Sequence, residues 1–283
     1  MSYMKYMLKT LSALRKPILG LIPFTVLLGV LVWLPNRDTA PLWKPLCCTV
    51  GAGLLLIVLV TLLIAGTLKK EEPLNEILAK DGYCEAWLQK HSEIYPTPDR
   101  SQKLRRVDVL SFMGRYDEAV SLLDSIPTVG FNDDQKYEYQ NARLDLMLTG
   151  KHYAEGIAEL DACRKFMDIY ANTYPLRGAA YGCNAAVLRA IAGDYEDSEH
   201  FIKAAEHAIL NQKDMSPAVV MIAKTMQLYA LGFDAQAEEQ AEKTRQEIET
   251  SPILAKAFQK THMLQLLERA KDVAPENRKE ALR

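Results

Sequence analysis

Two uninterrupted apolar stretches dominate the first quarter of the chain. Residues 17–34 carry no charge, and residues 45–68 form a second charge-free run that Lys69 and Lys70 bring to an end. Each is long enough for a helix to cross a hydrocarbon core about 30 Å thick. Beyond Leu68 apolar residues recur at three- and four-residue intervals among charged ones, as in Leu104, Val107, Leu110 and Phe112 or Leu122, Leu123 and Ile126. That period predicts amphipathic helices. Strand-like alternation is nowhere evident, so the expected fold class is all-α: an N-terminal two-helix transmembrane hairpin followed by a domain of helical hairpins.

The short connection between the runs, with Trp33 and Trp43 at interfacial positions, predicts that both termini lie on one side of the bilayer. Lys5, Lys9, Arg15 and Lys16 precede the first span and Lys69, Lys70 and Lys80 follow the second, against Arg37 and Lys44 between them. The positive-inside rule then places both termini in the cytoplasm, and the expectation is an integral protein of the plasma membrane. A cleaved signal peptide is disfavoured, because no small-x-small site is suitably placed and the second span would remain. In residues 1–16, Met4, Met7, Leu8, Leu11 and Leu14 recur at helical spacing. This segment reads either as a helix lying along an anionic leaflet or as an extension of the first span. Gly20, Gly29, Gly51, Ala52 and Gly53 would let the two spans approach closely, and neither run holds an ionisable side chain to relay protons.

Charge divides the chain at the same place. Of 34 basic and 36 acidic residues, six basic ones and Asp38 alone precede residue 69, leaving the remainder with 28 against 35, a net charge of −7. An acidic domain without a Lys/Arg stripe lacks the electrostatic term of phosphate-backbone binding, so nucleic acid is not an expected partner. The five cysteines have neither disulfide-framework nor zinc spacing. His200 and His207, seven apart among glutamates, lack a His-Glu-x-x-His arrangement and read as a solvated face; Cys163 and Cys183 read as packed, reduced thiols. With no nucleophile elbow and no Gly-rich loop after a strand, the chain is not expected to be an enzyme, and no cofactor or metal is expected.

One pattern recurs beyond Leu68: an apolar-periodic stretch, a Gly, an aromatic, then acidic and small residues. It reads Asp81-Gly82-Tyr83-Cys84-Glu85, Gly114-Arg115-Tyr116-Asp117-Glu118-Ala119, Gly150-Lys151-His152-Tyr153, Gly193-Asp194-Tyr195-Glu196 and Gly232-Phe233-Asp234. The glycines are 32, 36, 43 and 39 residues apart. Gly supplies the left-handed backbone that ends a helix, the acidic residues suit the positive end of the next, and the aromatic is expected to plug the space between the two. Prolines (Pro96, Pro98, Pro127, Pro175, Pro217, Pro252) fall between the predicted hairpins.

On Gly114, Tyr116 and Ala119, and on Gly193 and Tyr195, the sequence resembles the tetratricopeptide repeat family, with the aromatic one place late at Tyr153 and one early at Phe233. The resemblance spans residues 73–253 and implies an α-solenoid whose first helices line a concave face used for protein or peptide capture. Counted back from each Gly, that face would hold Leu104, Arg105 and Asp108, then Gln140, Asn141 and Leu144, then Asn184 and Val187, with Asn141 and Asn184 reading a partner's backbone. The family's Lys/Arg carboxylate clamp is not supported at these positions. The implied layout is a basic segment at 1–16, spans at 17–34 and 45–68, a linker and first hairpin at 69–98, repeats at 99–270 with a capping helix at 254–267, and a tail at 271–283. The expected function is a membrane-anchored adaptor or scaffold for a protein partner. The alternative is a structural subunit of a membrane transport or secretion complex that makes its contacts through the spans.

Overall fold

The structure, a computed structural model, describes residues 27, 30, 31, 34, 43–210, 212, 216–254 and 257–277. The expected segment 1–16, most of the first span, the intervening loop and the last six residues lie outside the described residues. Among those described, every regular element is helical. The chain divides into two compact units, Met1–Glu76 and Ile77–Arg283.

The helix α1 (Trp43–Asp81), which begins in the first unit and ends in the second, carries the second apolar stretch. From Cys47 it is the one helix among the described residues long and apolar enough to cross a membrane, and only 6% of its apolar window is buried. Leu55, Leu56 and Leu63 are 61%, 59% and 72% exposed, whereas a core helix of a soluble domain covers such side chains. The Thr61 hydroxyl donates to the Ile57 carbonyl at 2.7 Å and that of Thr67 to the Leu63 carbonyl at 3.1 Å, so both are satisfied within the helix. The helix outruns the expected span: Lys69–Asp81 was expected to begin a linker and is helical. Its Lys, Glu, Leu and Ala residues are strong helix formers, and Pro73 alone interrupts the hydrogen-bond ladder.

The second unit contains α2 (Glu85–Ile94), α3 (Arg100–Phe112), α4 (Tyr116–Asp124), α5 (Asp133–Thr149), α6 (Tyr153–Thr173), α7 (Pro175–Ile191), α8 (Tyr195–Ile209), α9 (Ala218–Ala230), α10 (Asp234–Thr250), α11 (Ala257–Glu268) and a closing 3-10 turn (Arg269–Val273). Two capping boxes start α3 and α5. Asp99 accepts from the Gln102 amide at 2.9 Å and Asn132 from the Gln135 amide at 2.8 Å, each returned by the glutamine side chain. Pro175 opens α7 at its first turn, where no donor is lost, and Pro217 precedes α9.

The turns joining α3 to α4, α5 to α6, α7 to α8 and α9 to α10 share one geometry. A left-handed residue ends the first helix: Gly114 (φ 74°), Lys151 (63°), Gly193 (81°) and Gly232 (77°). The next amide then donates five residues back: Arg115 to Leu110, His152 to Met147, Asp194 to Arg189 and Phe233 to Leu228, at 2.8–2.9 Å. These bonds satisfy carbonyls a helix end leaves open. Each second helix starts two residues after the left-handed one, and five residues after it stands a buried small residue: Ala119, Gly156, Ser198 and Ala237. Without a large side chain there, the second helix closes onto the first.

This geometry corrects two expectations. In the α5–α6 turn the left-handed residue is Lys151, not Gly150, whose φ is −80°. Gly150 serves close approach instead: a Cβ there would lie 2.1 Å from the Tyr116 ring, which stacks on His152 at 4.4 Å. Counted from Lys151, Tyr153 is no longer late. The aromatic, moreover, is not a general plug. Tyr153 is fully buried, but Tyr195 and Phe233 are 54% and 43% exposed and meet edge to face at 6.4 Å, because the small fifth residue already fills the space between the helices.

A non-glycine residue in the left-handed region costs about 1 kcal/mol. The Lys151–Asp272 ion pair, at 3.3 Å with both side chains nearly half exposed, offsets little of it. Lys151→Gly should therefore raise stability by about 0.5–1 kcal/mol, seen as a higher urea midpoint with unchanged slope.

The main core runs through Leu144, Leu160, Met167, Leu188 and Ile202, all fully buried, and is closed by Ala270, Val273 and Ala274 at the far end of the chain. A smaller cluster joins Ile222, Ile248, Leu254 and Leu267. Val273 and Ala274, expected in the tail, are thus part of the core. Their spacing with Leu267 and Ala270 puts apolar groups on the side that faces α9.

Candidate functional site

The first helices α3, α5, α7 and α9 pack against one another in chain order, so their outward side chains share one face. Arg105 lies over the Trp87 ring, 5.2 Å from its centre. Asp108 is exposed, and Asn184 donates to Asn141 across α7 and α5 at 3.3 Å. Leu104 is half-buried, and the buried Gln140 carbonyl oxygen has no hydrogen-bond partner among the described residues. Val187 is a core residue, 1% exposed, and Leu144 departs from the expectation too: it is fully buried in the core and presents no surface to a partner. The cause is the shifted turn. Stepping back six residues from Lys151 instead of Gly150 reaches Asp145, which stands in the place that Asp108 holds on α3 and Val187 on α7.

The C-terminal segment lies across this face. The His262 ring on α11 sits 4.5 Å from Phe112 and 6.1 Å from Tyr83. At the other end Lys151 pairs with Asp272, the Tyr153 hydroxyl donates to the Asp272 carbonyl at 3.5 Å, and Lys271 pairs with Glu238 of α10 at 2.5 Å. Beneath the segment is a cavity of about 140 Å³ between α5, α7, α9 and the closing turn. Asp145 and Asn184 contribute polar groups to it, Val187, Ala223 and Met226 an apolar wall, and Arg269 a cation from the closing segment. Asn184 and Val187, expected on a partner-binding face, line this cavity. Asp145 was not among the expected residues, although Tyr153 and Gly156, in step with Tyr116 and Ala119, mark the correct register.

Burial pushes the Asp145 carboxyl up to about 6. Asp108 is pushed up to about 7, first by the surrounding protein and then by Asp145 and Glu138, with Arg105 opposing. Both carboxylates are therefore penalised by folding. The penalty is complete above the folded pKa values and fades as pH falls from 8 towards 4, so these two groups make the protein more stable on acidification. Asp108 is exposed and Asp145 partly so; screening holds the joint effect to about 1–2 kcal/mol. His262 acts in the opposite sense, because burial and then Arg269 lower its pKa, and its contribution is lost as pH falls through the unfolded value of 6.5. An Asp108→Asn, Asp145→Asn variant cancels the histidine on comparison with the parent. It should be more stable at pH 8, with the gain largely gone at pH 4.5, as read by urea denaturation.

The thiols of Cys163 and Cys183 are unpaired, and burial pushes them up to about 11 and about 12, which keeps them protonated and inert at neutral pH. No group of three potential metal ligands occurs among the described residues. Comparison of the chain with family models, with curated proteins and with solved structures gave no match.

Proposed function

We propose that the chain is a membrane-anchored adaptor. In this reading α1 spans the bilayer, paired with the apolar stretch at 17–34, and the second unit is a cytoplasmic helical-repeat domain, similar to tetratricopeptide repeats, that captures a protein or peptide partner. The observation that carries this reading is the recurrence of one turn geometry four times, which sets α3, α5, α7 and α9 side by side with Arg105, Asp108 and Asn141 on one face that the C-terminal segment crosses over Asp145 and Asn184. Tethering raises the partner's effective concentration at the membrane without any new contact. The exposed apolar surface of α1, and the lack of any described residue close to Gly51 and Gly66, favour a second reading: a subunit of a membrane complex that makes its contacts through the span.

Co-purification of the full-length protein in mild detergent separates the two. The variants are Asp108→Lys with Asn141→Ala on the helix face, Gly51→Leu with Gly66→Leu in α1, and Glu239→Lys on α10 as control. A partner lost only with the face variant supports the adaptor. One lost only with the α1 variant replaces it with the membrane-complex subunit.

A further inference from the structure

The cavity beneath the C-terminal segment has a charge pattern that packing does not explain. Asp145 receives no hydrogen bond or ion pair to its carboxylate among the described residues, although it lines an enclosure whose other wall is Val187, Ala223 and Met226. Structural carboxylates elsewhere in this unit are engaged: Asp134 by Tyr170 and Arg177, Asp168 by Tyr181 and Arg164, Asp197 by Arg164 and Arg189. A half-buried carboxylate without a partner loses part of its hydration uncompensated, whereas the same group opposite a cation is stabilised. Lys151 of the α5–α6 turn and Asp272 of the closing segment neutralise each other, which leaves Arg269 as the cavity's one cation without an ion pair among the described residues. The site therefore offers one anion, one cation and an apolar floor between them.

We infer that this cavity binds a small aliphatic ligand bearing a primary ammonium group, with the ammonium opposite Asp145 and the hydrocarbon on Val187, Ala223 and Met226. A volume of about 140 Å³ suits a body of four to six carbons; an apolar cavity of roughly 150 Å³ holds benzene. A free amine and an aliphatic amino acid share this chemistry. They differ in that the amino acid's carboxylate also meets Arg269. With so few atoms, affinity is modest, a Kd on the order of 0.1–1 mM. The site does not require that the helix face capture a protein partner.

Calorimetric titration of the full-length protein in detergent tests this with three ligands of one skeleton: 3-methylbutylamine, L-leucine and 4-methylpentanoic acid. The amine and leucine are expected to bind and the acid to fail. Asp145→Asn, which keeps the side chain's shape, should weaken both at least tenfold without lowering the thermal midpoint. Arg269→Gln should weaken leucine alone. Binding of the acid as tightly as the amine, binding of none of the three, or unchanged amine binding by Asp145→Asn would each overturn the inference, and the thermal midpoint of each variant separates a lost site from a lost fold.

Discussion

Asp197→Ala is expected to lower the stability of the second unit by about 3 kcal/mol, although the residue sits in a run of acidic and polar residues that reads as surface. Asp197 binds the Arg164 guanidinium with two short hydrogen bonds, 2.6 and 2.7 Å, and lies 3.0 Å from the Arg189 Nε. The Arg189 side chain is only 10% exposed and Asp197 16%, so the pair is largely withdrawn from water, and Asp161 is the other carboxylate on Arg189. Removing Asp197 strands a buried guanidinium, whose desolvation then goes uncompensated except by the exposed Asp161. Because α6, α7 and α8 each supply a member of the cluster, the loss falls on the packing of three helices at once. Urea denaturation of the single variant reads the cost. In the Asp197→Ala background, Arg189→Met should return most of it, because an apolar side chain of similar length needs no counter-charge. A double variant as unstable as the single one would show that the loss comes from the α8 N-terminal turn rather than from the charge. The exposed pair of Arg115 and Glu118 gives the contrast: Glu118→Ala should leave the midpoint where it is.

The helices were legible where local chemistry writes them. Asp99 with Gln102 and Asn132 with Gln135 announce helix starts, Gly114, Gly193 and Gly232 announce ends, and the prolines between hairpins lie where helices begin or stop. The α5–α6 turn misled because a glycine can be present for either of two reasons. Gly150 is there for room beside Tyr116, and the left-handed conformation passes to the neighbouring Lys151, which shifts every position counted from it by one. That single step exchanges Leu144, a core residue, for Asp145, a cavity residue. The crossing of the C-terminal segment left no local trace. His262 meets Phe112 and Tyr83 about 150 residues and more upstream, and contacts at such separation are decided by the whole fold rather than by spacing.

The second large effect is expected from the smallest change, Gly178→Ala. The helix that holds it, α7, is rich in Gly and Ala and is buried along most of its length, with α6, α8 and α9 against it. A Cβ at Gly178 would meet the Ala171 Cβ at 2.5 Å and the Ala171 Cα at 2.6 Å. The second of these belongs to the backbone of α6, so no rotamer change relieves it, and the two helices must separate near the Tyr174 corner that joins them. Higher helix propensity for Ala over Gly returns about 1 kcal/mol. Overpacking against a backbone costs more, and a net loss of about 2 kcal/mol is expected. Gly150→Ala makes a useful partner, because its closest contacts, 2.1 and 2.2 Å, are with the ring of a half-buried Tyr116. A ring swings out on its χ angles where a backbone does not, at the loss of the stack on His152. The order of the two variants is therefore set by what the new methyl strikes rather than by how deeply it overlaps: despite the shorter distances at Gly150, Gly178→Ala should be the less stable by urea denaturation. The reverse order would mean that the Tyr116 ring is as fixed as the α6 backbone, which would make the α3–α4 and α5–α6 hairpins a single rigid block.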